Sequence, residues 1–342
     1  MSIEVSGVGP WPGVDQLEAQ SAVVGEIAEV PDPAVGMPWL SRLPERGPEH
    51  TAVAAALGLL VDLPAELGPH GWKLADRPGH DAQRLGSARD EAVDALAVAA
   101  HGWSGPLLLP VCGPLTLAAS VYLARGDRAV ADHGAVTEVV ESLGAGLAAQ
   151  LSAVRRVLPE ARPRVLLHEP LIAAIVAGTL PTFSGYARLR SVPAGEVAER
   201  LTRIVELTRS AGAEAVAIHL GTGSGLAPLV RRAGADGLGV RISSLDEGRW
   251  EPVAETVEFG LRLWAEVEPP RTSQCAGPDV QEVARPVLDG WHRVGLPASG
   301  LSELTLLAPA PVTGVPDAVR PARATLATVA RAAELIAERA EG

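Results

Sequence analysis

A single (β/α)8 barrel over residues 1–342 is the fold this sequence predicts, and three observations predict it. Short apolar runs alternate with helical segments along the whole chain. Eight of those runs have strand character. Several end on a polar residue followed by a Gly or Pro turn, as at Ala215 to His219, which runs into Gly221, Gly223 and Gly225. Parallel barrels place their chemistry at such strand ends. A doubly wound sheet is the competitor. It would be expected to show G-x-G-x-x-G opening a helix after a strand, and the glycines at 221, 223 and 225 lack that spacing.

In chain order, residues 3–13 form a short strand breaking into a Gly/Pro turn, and Val14 to Glu29 has helical spacing. Residues 31–48 are Pro-rich and irregular, and are expected to cover one end of the barrel. A helix is expected over His50 to Glu66, and the second strand over Gly71 to Gly79, with Asp76 and Arg77 at its exit. Asp81 to Ala100 is helical, and the third strand runs from Gly105 to Pro114. Helices over Leu115 to Ala124 and Ala135 to Val157 lead to a strand, Arg164 to Pro170, that carries His168 and Glu169 at its tip.

Leu171 to Ala177 leads on to a loop over 178–193, a helix over Gly195 to Ala211, the strand ending at His219 and a helix over Leu226 to Ala233. Asp236 to Ser243 delivers Arg241, and a helix lies around Glu251 to Phe259. The strand Arg262 to Val267 has Glu268 to Arg271 at its tip. Val280 to Val294 is helical, Leu304 to Pro309 is the last strand, and Arg320 to Glu341 the closing helix.

Composition narrows the function. The chain is 47% hydrophobic and 20% charged, enough to bury a large core. A net charge of −12 argues against a nucleic-acid partner, which needs a basic face. No apolar run is long enough to span a bilayer, and the N-terminus shows no basic or apolar leader segment, so a cytoplasmic protein is expected with no membrane partner. Two cysteines far apart, Cys112 and Cys275, do not make a disulfide framework. Cys112 reads as a small buried residue and Cys275 as an incidental loop residue.

The strand exits carry a resemblance. Gly7 to Gly13, Cys112 to Leu117, His168-Glu169-Pro170, Ile218 to Gly221, Ala235 to Arg241 and Leu307 to Pro311, in this order, resemble the catalytic barrel of cobalamin-independent methionine synthase. The likeness is greatest to the short stand-alone actinobacterial members, and the barrel type groups with uroporphyrinogen decarboxylase. The resemblance implies methyl transfer from a methyl-folate to the homocysteine thiol. It also implies a zinc ion, held by His, Cys, Glu and Cys, that lowers the thiol pKa.

Matched residue by residue, that ligand set fails. His219 is the only surviving ligand position; Gly221, Arg241 and Pro311 stand where Cys, Glu and Cys are expected. Pro10 replaces the Ser that contacts the amino acid, and His168 the Asp that would hold its amino group. A zinc site needs about four ligands, or three and an open position, and a guanidinium repels a dication. No metal and no cofactor are therefore expected.

The ligand-binding candidates are His168, Glu169, His219, Arg241, Arg77 and Trp11. Each has a bland alternative. His219 serves a ligand or a neighbouring residue, and Glu169 a ligand or a basic residue in the wall. Arg241 binds an anion or an internal acid, and Arg77 an anion or a turn. Trp11 lines a pocket or packs under loops. Together His168, His219 and Arg241 suit an anionic small molecule better than a metal. The expected function is a degenerate or repurposed barrel that binds such a molecule. The alternatives are a methyltransferase with an unorthodox metal set and a non-catalytic partner protein. The oligomeric state is not legible.

Overall fold

The computed structural model describes residues 2–268 and 279–341. Cys275 and Arg271 lie outside the described residues. Ten strands are described: β1 Glu4–Gly7, β2 Val35–Gly36, β3 Ala65–Gly68, β4 Gly71–Leu74, β5 Pro106–Cys112, β6 Arg162–His168, β7 Ala215–His219, β8 Gly237–Arg241, β9 Arg262–Glu266 and β10 Thr305–Ala308. Eight make one parallel sheet in the order β2-β1-β10-β9-β8-β7-β6-β5. A parallel bridge from Trp39 to Leu108 closes the circuit. Its hydrogen bonds run from Leu40 N–H to Leu108 C=O and from Leu108 N–H to Pro38 C=O, at 3.0 and 2.8 Å. The fold is a (β/α)8 barrel.

Eleven helices are described: α1 Gln16–Ala28, α2 Ala52–Leu57, α3 His80–Ala99, α4 Pro114–Ser120, α5 His133–Val157, α6 Ile172–Ala177, α7 Ala194–Ser210, α8 Ala227–Arg232, α9 Glu247–Glu258, α10 Val280–Arg293 and α11 Val319–Glu341. Their starts follow local chemistry. The side chains of Asp15, Asp132, Asp246 and Asp279 each accept an N–H at the start of the helix that follows. None of the helices is long and apolar enough to cross a membrane.

Three expectations are corrected. The second barrel strand is not Gly71 to Gly79 but β2, inside the Pro-rich stretch 31–48. The expected helix over His50 to Glu66 stops at Leu57, where Gly58 follows, and Ala65 begins a strand. β3 and β4 form an antiparallel hairpin outside the barrel. Arg77 consequently sits exposed between this hairpin and α3, not at a barrel-strand tip. The physical reason is that β2 has only two ladder residues, too few to show a strand period, whereas the hairpin has the alternation of a half-buried strand.

The barrel interior divides into two ends. At the N-terminal end Glu4, 6% exposed, accepts two hydrogen bonds from Arg164, both 2.7 Å, and pairs with Arg262. Thr305 Oγ1 donates to the same carboxylate at 3.1 Å. Midway, Trp264 is fully enclosed over Gly237, where a Cβ would lie 2.3 Å from the indole Nε1. The C-terminal end holds the polar strand tips.

Candidate functional site

Strand register brings the polar tips together. Cys112 pairs with His168, His168 with His219, His219 with Gly239, and Arg241 with Glu266. The His168 and His219 ring centroids are 5.2 Å apart. Gly239 makes this possible, because a Cβ there would lie 2.5 Å from His219 Cδ2.

His219 is buried and already engaged. Its Nδ1 accepts the Gly221 N–H at 3.1 Å, which leaves the proton of the neutral ring on Nε2. That nitrogen lies 3.3 Å from Glu266 Oε2, a close electrostatic contact without hydrogen-bond alignment. Glu266 Oε1 accepts from Arg241 Nε and Nη2 at 3.3 and 3.1 Å. Burial pushes the Glu266 carboxyl up, but His219 and Arg241 outweigh it and hold the group down at about 2. Arg241 Nε also lies 3.4 Å from Glu268, whose other oxygen accepts from Ser243. The grouping of His168, His219 and Arg241 as one anion-facing set therefore changes: two carboxylates offset Arg241.

His168 and Glu169 diverge as consecutive strand residues do. Glu169 is fully buried and accepts the N–H groups of Leu115 and Thr116 at 2.9 and 2.6 Å, tying β6 to the start of α4. Burial raises its carboxyl to about 7 against the pull of those donors. It is not the partner of a basic wall residue. His168 stays inside with its Nε2 unpartnered. Burial, then the neighbouring His219 and Arg42, push its pKa down to about 3, and the ring is neutral.

Glu169 and His168 predict opposite pH dependences. Glu169 titrates higher folded than unfolded, so its contribution is complete below about 4.5 and is lost as pH rises through 7. His168 titrates lower folded, so its contribution is complete above about 6.5 and is lost as pH falls toward 3. Each is worth about 2 kcal/mol between pH 5 and 7, and the two nearly cancel. Urea denaturation at both pH values is expected to show Glu169→Gln gaining stability with rising pH relative to the parent, and His168→Gln losing it. Parallel profiles for all three proteins would contradict this.

Two functional groups were not singled out in the sequence. Glu266 had a signal: period-two spacing from Trp264 places it inside the barrel. Arg42 had none, because it lies in the Pro-rich stretch. Its backbone joins the barrel rim, with Trp11 N–H donating to its carbonyl at 2.8 Å and its own N–H donating to Gly9 C=O at 3.1 Å. The residue is half-buried and lines a cavity with Gln16, Ser41, Glu49, His50 and Gln150. Burial lowers its pKa to about 10, and the only acid acting on it is the Cys112 thiol. Arg42 forms no ion pair among the described residues, and Glu49 lines the same cavity. Gly9, at φ +118°, leaves it room: a Cβ there would lie 2.8 Å from Nη2.

Trp11 is buried edge-on against Trp39, centroids 6.0 Å apart, and its Nε1 has no partner. Both indoles line a cavity of about 470 Å3 with Val8, Pro10, Pro311 and Leu326.

The zinc set implied by the resemblance does not fit. Among the described residues no three His, Cys, Asp or Glu side chains cluster closely enough to hold a metal ion. Position 221 has φ +61°, a left-handed turn that a cysteine adopts only with strain. The one carboxylate beside His219 is engaged by Arg241.

No protein-family model matches the chain, and no curated protein sequence does. Among solved structures it is similar to a B12-independent methionine synthase from Shewanella sp. W3-18-1 in complex with selenomethionine. The TM-score is 0.61 at 10% identity, over 99% of this chain and 98% of that one. The fold is that of a methionine synthase barrel. At this identity the likeness concerns the fold alone. A morphinone reductase variant, 11% identical over 90% of this chain and 82% of its own, reaches a TM-score of only 0.42, too low to carry an argument. The methionine-synthase-like barrel thus supplies the frame, and its chemistry has to be read from the side chains present.

Proposed function

We propose that this methionine-synthase-like barrel is a repurposed member of its fold that binds a small anionic molecule at its C-terminal mouth and does not activate a thiol through zinc. The observation that carries this reading is the ion pair beside His219. Arg241 engages Glu266, which in turn faces His219. A permanent cation, part of the chain itself, holds the carboxylate that His219 faces, and it cannot deprotonate to release that carboxylate to a dication. A thiolate could be drawn to a guanidinium, but it would have to displace Glu266, which is buried and better matched in geometry. Three ring nitrogens at this end, His168 Nε2, His219 Nε2 and Trp11 Nε1, are buried without a hydrogen-bond partner, where native proteins ordinarily supply one.

The test is metal analysis with an activity assay. Protein loaded with zinc and dialysed is expected to retain far less than one ion per chain and to make no methionine from homocysteine and a methyl-folate. Stoichiometric zinc that survives dialysis would reinstate a methyltransferase with an unorthodox set. Absence of stabilisation by any anion would favour a partner protein that keeps only the scaffold.

A further inference from the structure

We propose that the C-terminal face carries a second anion site, apart from the barrel mouth, in the cavity between the starts of α5 and α7, and that its ligand is a phosphate monoester with an apolar body. This goes beyond the reading of the mouth and does not depend on the ion pair beside His219.

The loop over 178–193 builds the site. It joins α6 to α7, and a connection of this length without a helix or sheet strand of its own is uncommon inside a compact domain unless it serves a function. In a chain of net charge −12 it contains Arg188 and Arg190 and no Asp or Glu. The loop is held in place. Leu189 N–H donates to Leu180 C=O at 2.8 Å and Thr182 N–H to Ala187 C=O at 3.0 Å, which folds it back on itself. Phe183 N–H donates to the Asp127 carboxylate at 3.0 Å, and the Phe183 ring stands edge-on to His70 and Tyr122, with centroids 5.0 and 5.4 Å away.

The cavity that the loop lines, about 500 Å3, has the size of a small-molecule site. Buried Leu115, Val130 and Val136, with half-buried Leu189 and Val192, give it an apolar floor. Arg188 and Arg190 of the loop, Arg200 of α7 and His133 of α5 line it as well. Arg200 Nη2 lies 2.7 Å from His133 Nε2, so side chains of two helices meet there. Among the described residues Arg188 donates to Thr179 C=O, Arg200 meets His133, and none of the three arginines pairs with a carboxylate. Two carboxylates line the cavity, and both are engaged. Asp127 accepts the N–H groups of Phe183 and Arg128, and Glu196 lies 3.4 Å from His133 Nδ1. Donors that arrive from a loop and two helices suit the three acceptor oxygens of a phosphate better than the single plane of a carboxylate. Arginine clusters recognise phosphate groups in this way. The floor then takes the apolar body.

Phenyl phosphate, inorganic phosphate and phenol test this by calorimetry on the full chain. Phenyl phosphate is expected to bind at least about tenfold more tightly than either of the others, since phenol lacks the charge-assisted hydrogen bonds and inorganic phosphate the apolar contact. Arg190→Gln combined with Arg200→Gln is expected to weaken phenyl phosphate at least about tenfold. Arg156→Gln, in the last turn of α5, removes the same charge at the far end of that helix and is expected to leave the affinity within about twofold, because charges so far apart are screened. If the double variant does not fold, Arg190→Gln alone, at an exposed loop position, gives the same reading in smaller measure, and the comparison with phenol needs no variant. Equal affinity for phenyl phosphate and phenol, or equal weakening by Arg156→Gln, would overturn the site. Inorganic phosphate binding as tightly as phenyl phosphate would overturn the ligand class. Failure of both phosphates to bind would remove this site and leave the reading of the mouth, which rests on Arg241 and Glu266, untouched.

Discussion

Replacing Glu4 by Ala is expected to lower stability by about 3–5 kcal/mol, the usual result of removing one partner from a buried ion pair. Glu4 is 8% exposed in its side chain and holds two guanidinium groups, Arg164 and Arg262, at 13% and 20%. Arg164 would keep Glu214, 2.6 Å from its Nε. Arg262 has no second carboxylate among its described partners and would be left as a half-buried cation at the barrel floor. Thr305 would also lose the acceptor of its hydroxyl. Urea denaturation at pH 7 measures the loss. The double variant Glu4→Leu with Arg262→Met is expected to recover much of it, because the pair can be exchanged for apolar groups at small net cost. A double variant no better than Glu4→Ala would show that the loss comes from packing rather than from stranded charge.

Replacing Arg42 by Met is expected to have the opposite sign. Here a guanidinium forms no ion pair among the described residues, and burial has lowered its pKa to about 10. Holding it charged in the ligand-free protein therefore costs up to about 3 kcal/mol. Met fills similar volume and carries no charge. Arg42→Met should raise the unfolding free energy from urea denaturation by up to that amount. A destabilised variant would mean that Arg42 holds the rim through packing, as long cationic side chains can. The two results together would separate cations that belong to the fold from the cation that is retained at a cost to stability.

Much of the barrel could be read from the chain because its parallel strands are buried on both faces. Residues 106–112, 164–168 and 215–219 stand out as apolar runs without reference to any neighbour. The tip residues His168, His219 and Arg241 could be read for the same reason: a polar residue ending an apolar run is visible locally. β2 could not, because a two-residue ladder between prolines has no period, and its place in the sheet is set by its neighbours β1 and β5. Arg77 was misplaced through the same error, which gave the barrel slot to a hairpin strand.

What the residue order alone determined was the alternation of strands and helices, the polar identity of the strand tips, and the absence of cysteine at 221 and 311. Which charge meets which was decided only by closure of the barrel. Glu4 is 160 residues from Arg164 and 258 from Arg262, yet one carboxylate serves both. Arg241 is 25 residues from Glu266 and becomes its partner through strand register. Arg42 is left without one. Electrostatic energy depends on distance and burial, which are properties of the folded surface and not of separation along the chain; a guanidinium in the sequence therefore acquires its role only when its neighbours are in place.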